Sequence, residues 1–101
     1  MLSRMERISE LLDQYDVLLT DKQIEAVRMH FEEDLSYSEI SEELSVSKAA
    51  AYDLVTRTEK ILNDYEEKLK LADKYKKRMA LYDKLENSVD SSILEELREL
   101  G

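Results

Sequence analysis

The sequence contains no cysteine, no proline and no tryptophan, and its single glycine is the terminal Gly101. Each absence excludes something. Without cysteine there is no disulfide framework, no thiolate metal site and no cysteine nucleophile, which fits a cytoplasmic protein. Without proline or internal glycine, the tight turns that join β-strands have no residues to build them. Alternating apolar runs are missing too, so strand pairing is disfavoured and an all-α fold is expected. No apolar run reaches the ~18 residues that would suggest a membrane helix, so no membrane insertion is expected. The first twelve residues, MLSRMERISELL, lack the continuous apolar core of a secretion signal. No glycine loop could cradle a phosphate. His30 has no second histidine or cysteine at ligand spacing, and it is assigned a structural role. The acidic clusters Glu32, Glu33, Asp34 and Glu42, Glu43 lack both the loop glycine of a calcium site and a nucleophile–base partner. With no catalytic constellation in view, the expectation is a binding protein, not an enzyme, with no cofactor and no metal.

What the chain has in quantity is charge. Twenty-four acidic residues against 15 basic ones give a formal charge of -9 over 101 residues. This opposes tight general binding to a phosphate backbone, which is driven by cations displacing condensed counterions. One segment departs from the average. Residues 68–84 carry Lys68, Lys70, Lys74, Lys76, Lys77, Arg78 and Lys84 against Asp73 and Asp83, a local sum of +5 that leaves -14 elsewhere. Two uses are open for it: a solvated face with acid–base pairs at spacing four, such as Asp73 with Lys77, or a phosphate contact, with Lys74, Lys76, Lys77 and Arg78 as its candidates.

Helical periodicity organises the rest. Ile8, Leu11, Leu12, Tyr15, Leu18 and Leu19 recur at three and four, predicting a first helix over residues 3–19 with that face inward. Thr20 and Gln23 have the form of a capping box opening a second helix, with Ile24, Val27 and Phe31 inward and an end near Glu33. Ser36 and Glu39 form another box, followed by Ile40 and Leu44 on one stripe. The stripe is interrupted at residues 45–47, where Val46 is the one apolar residue, suited to plugging a corner. Ser47 can then cap a helix in which Ala51, Val55, Thr58 and Leu62 share a face. Two helices joined by so short a turn read as a helix-turn-helix over residues 36–62. Such a pair serves to read nucleic acid or as a packing and protein-docking unit, and spacing does not decide between them. Its outward positions are Lys48, Tyr52, Asp53, Thr56, Arg57 and Lys60. Of these, Lys48, Tyr52, Thr56, Arg57 and Lys60 are the candidates for nucleic-acid contact.

LLTDKQ at 18–23, DLSYSEISEELSVS at 34–47, AAYD at 50–53, RTEKIL at 57–62 and DYEEKL at 64–69 together carry a resemblance. The segment is similar to the promoter-reading helix-turn-helix of bacterial sigma factors. It resembles still more closely the small YlxM-like proteins associated with the bacterial signal recognition particle. Where that family usually reads Ser-Arg-Gln-Ala-Val, this chain has Ser47, Lys48, Ala49, Ala50 and Ala51. The resemblance implies proximity to the particle's RNA and its GTPase as partners. A sigma-like regulator reading duplex DNA is the alternative.

Beyond Leu62 no breaker residue appears, and Tyr65, Leu69, Ala72, Tyr75, Met79, Tyr82 and Leu85 continue the stripe, so Tyr75 and Tyr82 are expected in core packing, with stacking on bases as the other use of their rings. A continuous helix over residues 47–87 would span about 60 Å at 1.5 Å per residue, too long for neighbours of ordinary length to cover. Either it breaks near Leu71 or it pairs with another chain. Asn87, Ser88, Asp90, Ser91 and Ser92 are turn and cap formers. Ser92 with Glu95 makes a third box before Ile93, Leu94, Leu97 and Leu100, an edge expected to fold back or dimerise. The organisation expected is a compact helical bundle: a helix-turn-helix domain over 1–69, a charged C-terminal helical arm over 70–101, and assembly as a homo-oligomer.

Overall fold

The computed structural model describes residues 3–87 and 91–100, with the backbone alone described for 91–94. These residues form six α-helices, and no strand occurs among them: α1 Arg4–Tyr15, α2 Asp21–Phe31, α3 Tyr37–Leu44, α4 Lys48–Leu69, α5 Leu71–Asn87 and α6 Ser91–Leu100. The fold is all-α. The chain divides into two compact units, Met1–Leu69 and Lys70–Gly101.

In the first unit the helix starts follow from local chemistry. Ser3 accepts from the Glu6 amide at 3.1 Å to cap α1. Thr20 and Gln23 exchange bonds of 3.2 and 2.8 Å at the start of α2, and Ser36 and Glu39 exchange bonds of 3.1 and 3.0 Å at the start of α3. Both are complete capping boxes, each satisfying two amides that a first turn leaves without partners. Ser47 accepts from the Ala50 amide at 3.0 Å to open α4.

The first three helices all pack on α4. The fully buried residues are Leu11, Leu12 and Tyr15 of α1, Ala26 and Val27 of α2, Ile40 of α3, and Ala51, Thr58 and Leu62 of α4, with Ile8 and Val55 almost as enclosed. Burial of this apolar surface, roughly 25 cal/mol per Å², is the main favourable term for the unit. The face of α4 expected to be inward is inward in full. Elsewhere the structure corrects the expectation. The first helix ends at Tyr15, and Asp16–Leu18 form a single 3-10 turn that leaves Leu18 50% exposed. In α2, Val27 is buried but Ile24 and Phe31 are only half-buried, and Ala26 is as fully enclosed as Val27.

With no internal glycine, three helix ends place other residues in the left-handed region: Asp34 (φ 58), Ser45 (φ 55) and Lys70 (φ 54). Glycine is the usual occupant because it has no Cβ to clash there. Ser45 makes the turn between α3 and α4, where the Val46 amide reaches back to the Ser41 carbonyl at 3.0 Å. Val46 itself packs against the cluster of Ala26, Ile40, Ala51 and Val55, as a corner plug should. Lys70 is where α4 stops.

In the second unit, α5 and α6 pack on each other. The apolar stripe expected to face inward along α5 is not buried as a whole. Ala72 and Leu81 are the buried residues of α5, whereas Tyr75, Met79 and Tyr82 are 48%, 41% and 44% exposed. Ser88 and Asp90, the Ser92 cap and the side chains of Ile93 and Leu94 lie outside the described residues.

Candidate nucleic-acid interface

The helix-turn-helix is α3, the turn at 45–47, and the first half of α4. Lys48, Tyr52 and Thr56 follow one another at spacing four and share a stripe on α4, with Lys60 next in the series. The structure therefore brings these four candidates to one side of the second motif helix.

Their chemistry is less open than their placement. The Thr56 hydroxyl donates to the Tyr52 carbonyl at 2.9 Å, turning back onto its own helix. Arg57 donates from Nε to Asp53 at 2.9 Å, an exposed pair that answers the arginine's charge within the same helix. The other exposed side chains of the motif include Glu39, Glu42 and Glu43 of α3. Tyr52, 54% exposed, meets Tyr37 edge-to-face at 5.0 Å, and Tyr37 stacks on His30 at 4.6 Å. His30 Nδ1 lies 3.1 Å from the Leu35 carbonyl, so the histidine ties α2 to the segment that leads into α3. This aromatic chain from α2 to the outward face of α4 went unread in the sequence. The interleaved His30, Tyr37 and Tyr52 were its only signal.

A groove of about 440 Å³ runs between the start of α2 and α4. Val46, Leu54 and Ile61 give it an apolar floor, with Lys22, Asp53 and Arg57 at its rim. Sequence reasoning missed Lys22 and Gln23 here, because nothing local marks the N-terminus of α2 as a neighbour of α4.

In the second unit, the four candidate cations of α5 differ in situation. Lys77 pairs with Asp73 at 3.1 Å. Arg78 is half-buried, and its Nη2 donates to the Leu100 carbonyl of α6 at 3.0 Å. Lys74 and Lys76 are exposed. A cleft of about 560 Å³ between the two helices is lined by Lys77, Lys84, Glu96 and Glu99, together with Ala80, Leu81 and Leu100. Charges of opposite sign thus face one another across the hairpin.

Among the described residues no group of three or more His, Cys, Asp or Glu could hold a metal ion, and no helix is long and apolar enough to cross a membrane. The sequence model of a family described as "Putative helix-turn-helix protein, YlxM / p13 like" matches residues 2–100. The chain belongs to this family. It is 41% identical over 96 residues to UPF0122 protein BH2485 of Halalkalibacterium halodurans, covering 95% of the chain and 88% of that protein. It is 43% identical over 101 residues to UPF0122 protein OB1530 of Oceanobacillus iheyensis, covering 99% and 96%. UPF0122 protein YofM of Lactococcus lactis is 38% identical over 101 residues, covering 98% and 91%. For this YlxM/p13-like chain the match extends through α5 and α6, so the C-terminal hairpin is as much part of the family pattern as the motif.

Proposed function

We propose that this chain is a non-catalytic adaptor of the signal recognition particle system, docking the particle's GTPase through the helix-turn-helix unit and contacting its RNA through α5. The observation that carries this reading is the distribution of charge. The first unit has eight basic against seventeen acidic side chains, a formal charge of -9, whereas the second is balanced at seven of each. A polyanion is repelled by the first and tolerated by the second. Within α5, five cations stand against Asp73, Asp83 and Glu86, so the positive potential is concentrated on one helix.

The test is retention of the particle's RNA by the full chain and by the variant Lys74→Glu/Lys76→Glu/Lys77→Glu, which leaves the Arg78 contact to α6 in place. The variant is expected to lose retention, while Lys48→Ala/Arg57→Ala keeps it. Equal retention by wild type and the triple variant refutes the RNA contact. Pull-down of the GTPase, with Glu42→Lys/Glu43→Lys as the disrupting variant, tests the other half.

A second reading is a sigma-like regulator of transcription, favoured by the common stripe of Lys48, Tyr52 and Thr56 on the second motif helix. Titration with duplex DNA at two salt concentrations separates the two. Each phosphate contact contributes close to one unit to the slope of log affinity against log salt, and a slope of zero removes the regulator.

A further inference from the structure

We propose that α5 carries a stacking site for unpaired RNA bases, formed by Tyr75 and Tyr82 with Arg78 between them and Lys74 beside them. The proposal rests on the RNA reading above and assigns the surface that would make the contact. Positions 75, 78 and 82 are spaced by three and four, which sets them on one stripe of the helix. The two tyrosines are two turns apart, about 10 Å along the axis, so each ring is free to take a different base.

Both rings are close to half exposed, and neither makes a ring contact among the described residues. Arg78 is held in place by its bond to the Leu100 carbonyl, and its Nε is a buried donor with no acceptor among the described residues. The guanidinium is therefore a fixed positive group on the tyrosine stripe. Met79, 41% exposed, widens the apolar strip on the far side of Tyr75. Aromatic faces interleaved with cations on one surface are what single-stranded nucleic acid recognises: rings stack on bases whatever their identity, while cations follow the phosphates.

A second copy of the chain is the other occupant to weigh. A tyrosine has roughly 200 Å² to bury, so two half-exposed rings and a methionine offer about 300 Å² per protomer. A stable interface takes about 800 Å² from each partner. Pairing α5 with itself would also bring five cations against five, with only three carboxylates on each side to offset them. Charge and area both favour a polyanion with exposed π-faces.

The experiment compares the full chain with Tyr75→Leu/Tyr82→Leu, which keeps the apolar surface and helix propensity but removes the rings, and with Tyr75→Phe/Tyr82→Phe, which keeps them. The probes are an oligouridylate of about ten nucleotides and a fully paired RNA duplex of equal length, followed by fluorescence anisotropy at two salt concentrations. The leucine variant should bind oligouridylate about a hundredfold more weakly, roughly tenfold for each ring lost, with the phenylalanine variant within about twofold of wild type. Duplex binding and the salt slope should not change. Oligouridylate affinity equal in wild type and the leucine variant overturns the stacking site while leaving an electrostatic RNA contact intact. Absence of any salt-dependent binding by wild type to either probe overturns the RNA reading and the site with it. Sedimentation of a dimer that Tyr75→Ser/Tyr82→Ser dissociates assigns the stripe to a second copy instead.

Discussion

Removing one oxygen atom, by Tyr15→Phe, tests how the first unit is held together. Tyr15 is fully buried, and its hydroxyl donates to Glu66 Oε1 at 2.6 Å, joining α1 to the far end of α4. Its ring stacks on Tyr65 with centroids 5.7 Å apart. Phenylalanine keeps the ring, the stack and the buried area, so the loss falls on the hydroxyl, which donates to a carboxyl group that is 7% exposed. Removing one partner of a buried hydrogen bond costs roughly 1–3 kcal/mol, so about 2 kcal/mol is expected, close to thirtyfold in the unfolding constant. Urea unfolding followed by far-UV circular dichroism should show a lower midpoint at unchanged slope, and thermal unfolding a drop of roughly 10 °C. Glu66→Gln, which keeps an acceptor for the hydroxyl, should cost less. Tyr15→Phe/Glu66→Leu should cost less than the two single changes added, by about 1 kcal/mol or more, since both members of the polar pair go together. A phenylalanine variant within about 0.5 kcal/mol of wild type, or strict additivity in the double variant, would refute the assignment of stability to this bond.

Ala51, fully buried among Ala26, Ile40 and Val55, sets how closely the motif helices approach. Ala51→Leu should destabilise by about 1–3 kcal/mol in denaturant titration, while Ala50→Leu, one residue away and exposed, should be near neutral. At the motif turn, Ser45→Gly should be neutral or stabilising by up to about 1 kcal/mol, because a left-handed non-glycine residue costs about that much; Ser45→Val should lose at least about 1 kcal/mol, and the reverse order of stability rejects the turn geometry. The Glu39 carboxyl is held below its ordinary pKa by the Ser36 amide it accepts from, with the Ser36 side chain adding to the effect. A pKa lowered on folding gives stability that is present above the unfolded value and lost as pH falls through the folded one. The difference in thermal midpoint between wild type and Glu39→Gln should therefore be larger at neutral pH than near pH 3, and a difference that grows on acidification contradicts the box.

The helices of the first unit were legible because local and tertiary signals agree there. Ser36 with Glu39 and Thr20 with Gln23 are starts written in side-chain chemistry, and Ala51, Val55, Thr58 and Leu62 state which face of α4 turns inward. The breaks were harder to see. A chain without internal glycine has to place Asp34, Ser45 and Lys70 in the left-handed region, and none of the three advertises it. At Ser45 the interrupted apolar stripe gave the turn away. At Lys70 the stripe continued straight through in the sequence, so both a break and a long arm remained open. Tyr75, Met79 and Tyr82 seemed part of a buried face because they follow Ala72 at spacings of three and four. In the structure the buried positions of α5 are Ala72 and Leu81, nine residues apart and so on opposite sides of the helix, and the three large residues are left outside.

Candidate cations show a different limit. Periodicity tells which side chains reach the surface, but whether a charge there is available depends on what else reaches it. Arg57 and Asp53 lie four apart, so their pairing was open to inspection in the sequence, as was that of Lys77 with Asp73. The capture of Arg78 by the Leu100 carbonyl was not, because it joins residues 22 positions apart across a helical hairpin. A count of basic residues therefore overstates the phosphate-binding capacity of α5, and it overlooks the exposed rings beside those cations. Both corrections point the same way: if α5 holds RNA, a larger share of the affinity comes from base stacking than the run of lysines suggests, and a correspondingly smaller share falls away with salt.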